Sequence, residues 1–391
     1  MFIRLVVFIC WLLPLPSQAG IRHLEVVFYD TPIALSFDDG MLLESPLTVE
    51  EMSLRRSMTV LEGKPTLLFL ETIQRARTDL NLSDWLFAQL LQELLAHAYQ
   101  QPIHAPVVQL NTFFFLAKSH YDVRLTYLQQ QLAVYAYNEE KLYEVATIQS
   151  DGRQYALVTA PHENRTSSKS LYLLGYRPEP NGKVFQFTFT TWPHLQQDIQ
   201  QRDISFQFNG QSFEIPVAYD ANVAKLMNSY PLVDEFWYIN APISPSLRSS
   251  LLHHFGQLIR GRSQEEALQL IVAFTRSGFQ YKEDKACFGR NKPMVPEELF
   301  HHPFSDCEDR SALFFMMVKE LLNLPIAAVA YPDHITVAVA VEGVRGDHFK
   351  YKGGQFVFCD PTGPKNSSEI GHIPQGYEKS SFEILGSYFP E

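Results

Sequence analysis

The chain is poor in the features that would tie it to nucleotides, metals or nucleic acids. It has no glycine-rich phosphate loop, and its thirteen histidines fall into no His-x-x-x-His or Cys-x-x-Cys pattern, so no metal and no cofactor is expected. It has no basic block. The 32 basic residues against 43 acidic ones leave a formal charge of -11, which gives phosphate backbones nothing to bind, and nucleic acid is not an expected partner. Cysteines number only four, and beyond the first nineteen residues there is no long apolar run. What is present is enough apolar material for two or three domains: 391 residues, 46% hydrophobic and 13% aromatic, a composition unlike that of disordered chains.

Residues 1–19 read as a secretory signal peptide: Arg4, an apolar run from Leu5 to Leu13, Pro14 and Pro16, then Ser17-Gln18-Ala19 as a small-x-small cleavage site. A membrane anchor is the competing reading, but about ten apolar residues fall short of the roughly twenty that span a bilayer. The mature chain is therefore expected to be secreted or periplasmic, without a stable membrane anchor.

The remainder divides into three stretches. Residues 20–160 open with a β lead-in from Ile21 to about Leu61, turned at Asp38-Asp39-Gly40. A helix from Trp85 to about Tyr99 follows, capped by Leu82-Ser83-Asp84, then a second near Thr112 to Ser119, then strands at Tyr121–Leu125, Leu132–Tyr137 and Tyr155–Val158. Residues 161–240 are expected to be an antiparallel β region, from the alternation in Phe185–Phe189 and Ile204–Phe208. Residues 241–391 read as helices, a loop, a helix from Ser311 to Leu322 stopped by Asn323, and strands at Ile326–Ala330, Ile335–Val341 and Gln355–Asp360.

The chemistry lies in this last stretch. In Ser305-Asp306-Cys307-Glu308-Asp309-Arg310-Ser311 a cysteine stands where a loop enters a helix, a place whose free N–H groups and dipole favour thiolate over thiol. His334 stands at the entry to one strand and Asp360 at the exit of another. If these strands form an antiparallel hairpin turning beside Gly346-Asp347, His334 faces Asp360 directly. Cysteine, histidine and aspartate then take distinct roles as nucleophile, base and orienting carboxylate.

Together with Phe279-Gln280-Tyr281, Asp284 and Asp360-Pro361-Thr362, these residues resemble the core of the transglutaminase-like superfamily, kin to papain-like cysteine proteases. The resemblance covers roughly Leu247 to Thr362. It implies an α+β fold with a transglutaminase-like (papain-like) C-terminal domain preceded by β-rich and mixed α/β regions. It also implies acyl chemistry on an amide by Cys307, His334 and Asp360. The backbone N–H of Cys307 is one candidate oxyanion donor by its place at a helix start, and Gln280 or Tyr281 is a candidate for the second.

The expected function is a secreted cysteine-dependent amide hydrolase, a peptidase or isopeptidase acting through a thioester on a peptide or protein substrate. The alternatives are a protein-glutamine acyltransferase and a non-catalytic binding or adhesion scaffold. The oligomeric state is left open.

Two further expectations follow from spacing. After removal of the leader three cysteines remain; an odd count leaves one thiol over, expected to be Cys307, with a disulfide between Cys287 and Cys359 as the alternative to two unpaired buried thiols, the preferred reading. Residues of about 84 to 160 also look like a degenerate copy of the catalytic unit. A shift of 203 sets Gln131 on His334 and His104 on Cys307, and Thr159 falls opposite Asp360 if the last strand slips by two.

Overall fold

The computed structural model describes residues 20–159, 171–363 and 369–391, so the expected leader lies outside the described residues. The architecture is α+β. Strands β1 (Ile21–Phe28) and β2 (Thr31–Asp38) form a hairpin that turns at Tyr29-Asp30, both at positive φ (45 and 60), as a two-residue type I′ turn requires. The expected turn at Asp38–Gly40 is instead a short 3-10 turn after the hairpin, with the Asp38 carboxylate accepting from the Gly40 N–H.

The β lead-in is also shorter than expected. Helices α1 (Glu51–Glu62) and α2 (Leu67–Asp79) follow the hairpin, and Leu54, Met58 and Leu61 bury at helical spacing on α1. Helix α3 (Asp84–Tyr99) begins where Ser83 caps it, its hydroxyl accepting from the Leu86 N–H at 3.3 Å. Helix α4 (Pro106–Lys118) begins earlier than Thr112 because Pro106 suits a first helical turn.

A five-stranded antiparallel sheet closes the first half: β3 (Val123–Leu128), β4 (Gln131–Tyr137), β5 (Thr147–Ser150), β6 (Arg153–Leu157) and β7 (Tyr172–Leu173), in spatial order β5-β6-β4-β3-β7. The chain then starts again with a hairpin, β8 (Ile199–Phe208) and β9 (Gln211–Asp220), and helix α5 (Ala221–Ser229). Helix α6 (Gln264–Ser277) follows, then the short parallel pair β10 (Gln280–Tyr281) and β11 (Phe304–Ser305), and helix α7 (Cys307–Met317). A second five-stranded sheet, β12 (Ile326–Tyr331), β13 (His334–Val339), β14 (His348–Tyr351), β15 (Gly354–Phe358) and β16 (Glu383–Tyr388), has the order β14-β15-β13-β12-β16.

The two sheets share strand order and register. Val123↔Ala136 in the first and Ile326↔Val339 in the second lie 203 positions apart at both ends. In the next pair, Tyr135↔Leu157 and Ala338↔Phe358, the first residue shifts by 203 and the second by 201. The outer pair, Thr147↔Ala156 and His348↔Val357, keeps 201 throughout. His120 and Asn323, again 203 apart, are both left-handed (φ 66 and 49) between the helix and the sheet. In each half the first hairpin strand packs on a long helix, β1 on α3 and β8 on α6.

The expected β region at 161–240 is divided among these parts. β7 completes the first sheet, while Ile204, Phe206, Ile215 and Val217 of the second hairpin enter the core around α6 and α7. Phe185 and Phe187 alternate with polar neighbours but form no strand: both rings are buried in the first core, and the Glu140 carboxylate takes the Phe187 and Thr188 N–H groups. The first core also contains Val223, Leu226, Met227, Tyr230 and Val295, from chain that follows the second hairpin.

Glu297 fastens this junction. Its buried carboxylate accepts from the Asp220 N–H (2.7 Å), the Ser244 N–H (2.9 Å) and the Ser244 hydroxyl (2.6 Å). Burial outweighs these donors and raises its pKa from 4.5 to about 7. The native state therefore holds this proton more tightly than the unfolded chain does. Its stabilising effect is complete below pH 4.5 and is lost as pH rises to 7, roughly 3 kcal/mol over that window. Urea unfolding from pH 4.5 to 8 is expected to show that decline, and Glu297→Gln to flatten it; an unchanged slope in the variant would refute the assignment.

Candidate functional site

Helix α7 presents Cys307 at its first turn. Asp306 and Asp309 form a reciprocal cap, with the Asp306 N–H donating to Asp309 Oδ2 at 3.0 Å. The helix lies against β13: the Ser311 hydroxyl donates to the Ile335 carbonyl at 3.1 Å, and the Ile335 N–H reaches the Cys307 sulfur. The nucleophile candidate thus meets the backbone of the residue after His334.

His334 opens β13. Its Nε2 is 3.5 Å from Asp360 Oδ1, with both side chains buried. Asp360 Oδ1 accepts from Thr336 Oγ1 (3.2 Å), the Thr362 N–H (3.2 Å) and Thr362 Oγ1 (2.8 Å), and this collar fixes the carboxylate. His334 Nε2 and Asp360 Oδ2 have no hydrogen-bond partner among the described residues, and the imidazole stacks on Tyr377 with ring centres 5.2 Å apart. With Nε2 turned to Asp360, Nδ1 is the ring atom left to act on a thiol.

The expected direct opposition of His334 and Asp360 is corrected by two residues. β13 and β15 pair through Ala338↔Phe358 and Val339↔Val357, which brings Asp360 level with Thr336. The cause is the extra strand β14, which is the hairpin partner of β15, so the turn near Asp347 is not the midpoint of a β13–β15 hairpin. The imidazole crosses the remaining offset.

The disulfide expectation is corrected too. Cys287 and Cys359 are both free. Strand alternation does turn Cys359 away from Asp360, but into the second core, fully buried, while Cys287 sits half-buried on the short helix Asp284–Phe288.

Of the two oxyanion candidates, the structure brings only Tyr281 to the cysteine. Gln280 is exposed, and alternation along β10 puts the two side chains on opposite faces. The Tyr281 hydroxyl donates to Glu283 at 3.1 Å, and its ring lies under the Arg310 guanidinium at 5.1 Å. Burial, then the neighbouring Cys307, raises the phenol pKa, so it remains a neutral donor.

The expectation that the helix start favours a thiolate is also overturned. Burial, then Glu308 and Asp306, pushes the Cys307 thiol well above its ordinary value. The thiol donates to Glu308 Oε2 at 3.7 Å, and no hydrogen bond joins it to His334 among the described residues. Burial and neighbouring carboxylates raise Asp306 to about 7 and Glu308 to about 8. Glu308→Gln removes the nearest opposing charge, so iodoacetamide alkylation of Cys307 at pH 8 to 9 is expected to speed up about three- to tenfold. An unchanged rate would show that burial alone sets the thiol.

The spacing of residues hid two features. Arg310, buried within an apolar helix, donates to the carbonyls of Phe279, Thr362 and Gly363 and to the Ser305 hydroxyl. Asp284, Asp306 and Asp309 bring carboxylate oxygens within 4.8 Å of one another, as do Asp306, Cys307 and Glu308 with their ligand atoms; these are the described residues able to hold a cation. No local motif marks the first group, because Asp284 joins it only through the fold. A cavity of about 70 Å³ adjoins Glu308 and Ile335, walled by Tyr238, Asn291, Pro293 and Met294.

Compared with protein-family models, with curated proteins and with solved structures, the chain has no match in any of the three.

Proposed function

We propose that the chain is a secreted, cysteine-dependent amide hydrolase, a peptidase or isopeptidase with a transglutaminase-like second half. The observation that carries this reading is the meeting of three elements. Cys307, at a helix start, lies against the strand that His334 opens, and His334 faces the clamped carboxylate of Asp360 at 3.5 Å.

The resting thiol is protonated, so His334 Nδ1 takes the proton as the sulfur attacks the amide carbonyl. Asp360 stabilises the imidazolium through Nε2–H. The Cys307 N–H and the Tyr281 hydroxyl are the candidate donors to the oxyanion. The amine leaves with the proton from His334, and water resolves the thioester; acyl transfer results if a second amine arrives first. The first half, with Gln131 at the register position of His334 and Thr159 at that of Asp360, is a copy of the unit without its chemistry.

A second reading, a non-catalytic scaffold, draws on one observation: the thiol is bonded to Glu308 rather than to His334. A thiol-directed activity probe separates the two. Selective labelling of Cys307 that His334→Ala suppresses supports the enzyme; labelling no faster than that of Cys287 leaves the scaffold.

A further inference from the structure

The first half lacks the residues of the trio, yet a cleft of about 540 Å³ opens where its strand β6 ends. Val158 and Thr159 line it, and Thr159 holds the ladder position that Asp360 holds in the second half. The Thr159 hydroxyl accepts from the Val134 N–H at 3.2 Å, so it serves the sheet and is not poised for catalysis.

Four aromatic rings line the cleft, with Val145, Leu157 and Leu232 beside them and the polar Gln89, Glu93 and Glu144 at other parts of the wall. Trp85 and Tyr230 lie with ring centres 4.7 Å apart, and Tyr29 and Tyr143 complete a ring-lined surface. Five lining residues come from the second half: Ser229, Tyr230, Pro231, Leu232 and, further along the chain, Arg290. The residues directly after it, Asn291, Pro293 and Met294, wall the small cavity beside Glu308 and Ile335, where Cys307 stands. A single stretch of chain therefore borders the aromatic cleft on one side and, on the other, the small cavity lined by Glu308 and Ile335, the two residues that contact Cys307.

We infer that this cleft is a substrate subsite that receives an apolar or aromatic side chain of an extended polypeptide whose reacting amide lies at Cys307. The inference rests on the hydrolase reading. Polypeptide is the occupant the geometry favours, because a chain lying across Arg290–Met294 spans both cavities, and a single ligand confined to the cleft would not reach the thiol. Flat rings recognise apolar side chains by burial and stacking. Arg290, at the crossing, is placed to donate to the backbone carbonyls of such a chain.

The test uses Cys307→Ala, which binds without turnover, and a random-sequence peptide library. Peptides carrying an aromatic or apolar residue at a fixed position are expected to be enriched. Adding Tyr143→Ala or Arg290→Ala should weaken binding of the enriched peptides about tenfold or more. Both cleft substitutions, made in the active chain, should leave iodoacetamide labelling of Cys307 unchanged, which also shows that they fold.

Enrichment that neither substitution affects would overturn the inference, as would no enrichment at all. Quenching of tryptophan fluorescence by mixed oligosaccharides, lost in Tyr143→Ala, would reassign the cleft to sugars and overturn it as well. Failure of Cys307 labelling in the unmodified chain is the separate result that would sink the hydrolase reading.

Discussion

Replacing Cys307 by Ala is expected to abolish amide turnover, a loss of at least about 10⁴-fold, because it removes the thiol that lies against the residue after His334. His334→Ala is expected to cost about 10³-fold or more, since a protonated thiol depends on its base. Asp360→Asn should be milder, about 10- to 100-fold, because the amide keeps a group that can orient the ring at Nε2. The measurement is turnover of a peptide amide by each variant, with circular dichroism to show that it is folded. If folded Cys307→Ala turns the peptide over like the unmodified chain, the mechanism is wrong.

The largest loss of stability is expected at Arg310. Its guanidinium is buried and closes three carbonyls, on Phe279, Thr362 and Gly363, tying α7 to the strand before Tyr281 and to the loop after Asp360. Arg310→Met keeps most of the apolar stem and removes every donor, leaving those carbonyls buried without partners. The expected cost is about 3–5 kcal/mol, read from urea unfolding. A cost below about 1 kcal/mol would mean that water or a shift of the loop replaces the guanidinium. Because the same loop carries Thr362, which clamps Asp360, the variant should also lose activity while it remains folded in the cold.

Much of the trio was readable because each member stands at an element boundary that local chemistry marks. The Asp306-Cys307 start precedes an apolar helical run, Ser83 caps its helix by the ordinary rule, and Asn323 stops one. The 203-residue offset was readable because the distance from helix end to hairpin is set by backbone geometry and not by side-chain identity.

What was not readable depended on partners distant in sequence. Which strand pairs with β15 decided the register of Asp360, and the inserted β14 moved it by two. The alternation of Phe185 and Phe187 is real, but period two records burial, and a ladder needs a neighbour as well. The helix at Glu51–Glu62 was concealed because polar residues such as Arg55 and Arg56 break its apolar stripe into single positions. Burial, and after it the carboxylates around Cys307, reversed the expectation of a thiolate. A helix dipole contributes a partial charge at the terminus, whereas Glu308 and Asp306 bring whole charges into a buried setting.

The placement of Leu226, Met227, Tyr230 and Val295 in the first core has a consequence for how the chain can be divided. A half without the candidate trio would ordinarily be dispensable, and a cut between the sheets would release it. Here the second half lends the first part of its interior, so the first core is incomplete without it. Excision of residues 20–198 would strip the cover from those side chains and turn them into an adhesive face on the remaining half. The two halves therefore share one fate in the cell: a protease that opens either one exposes both.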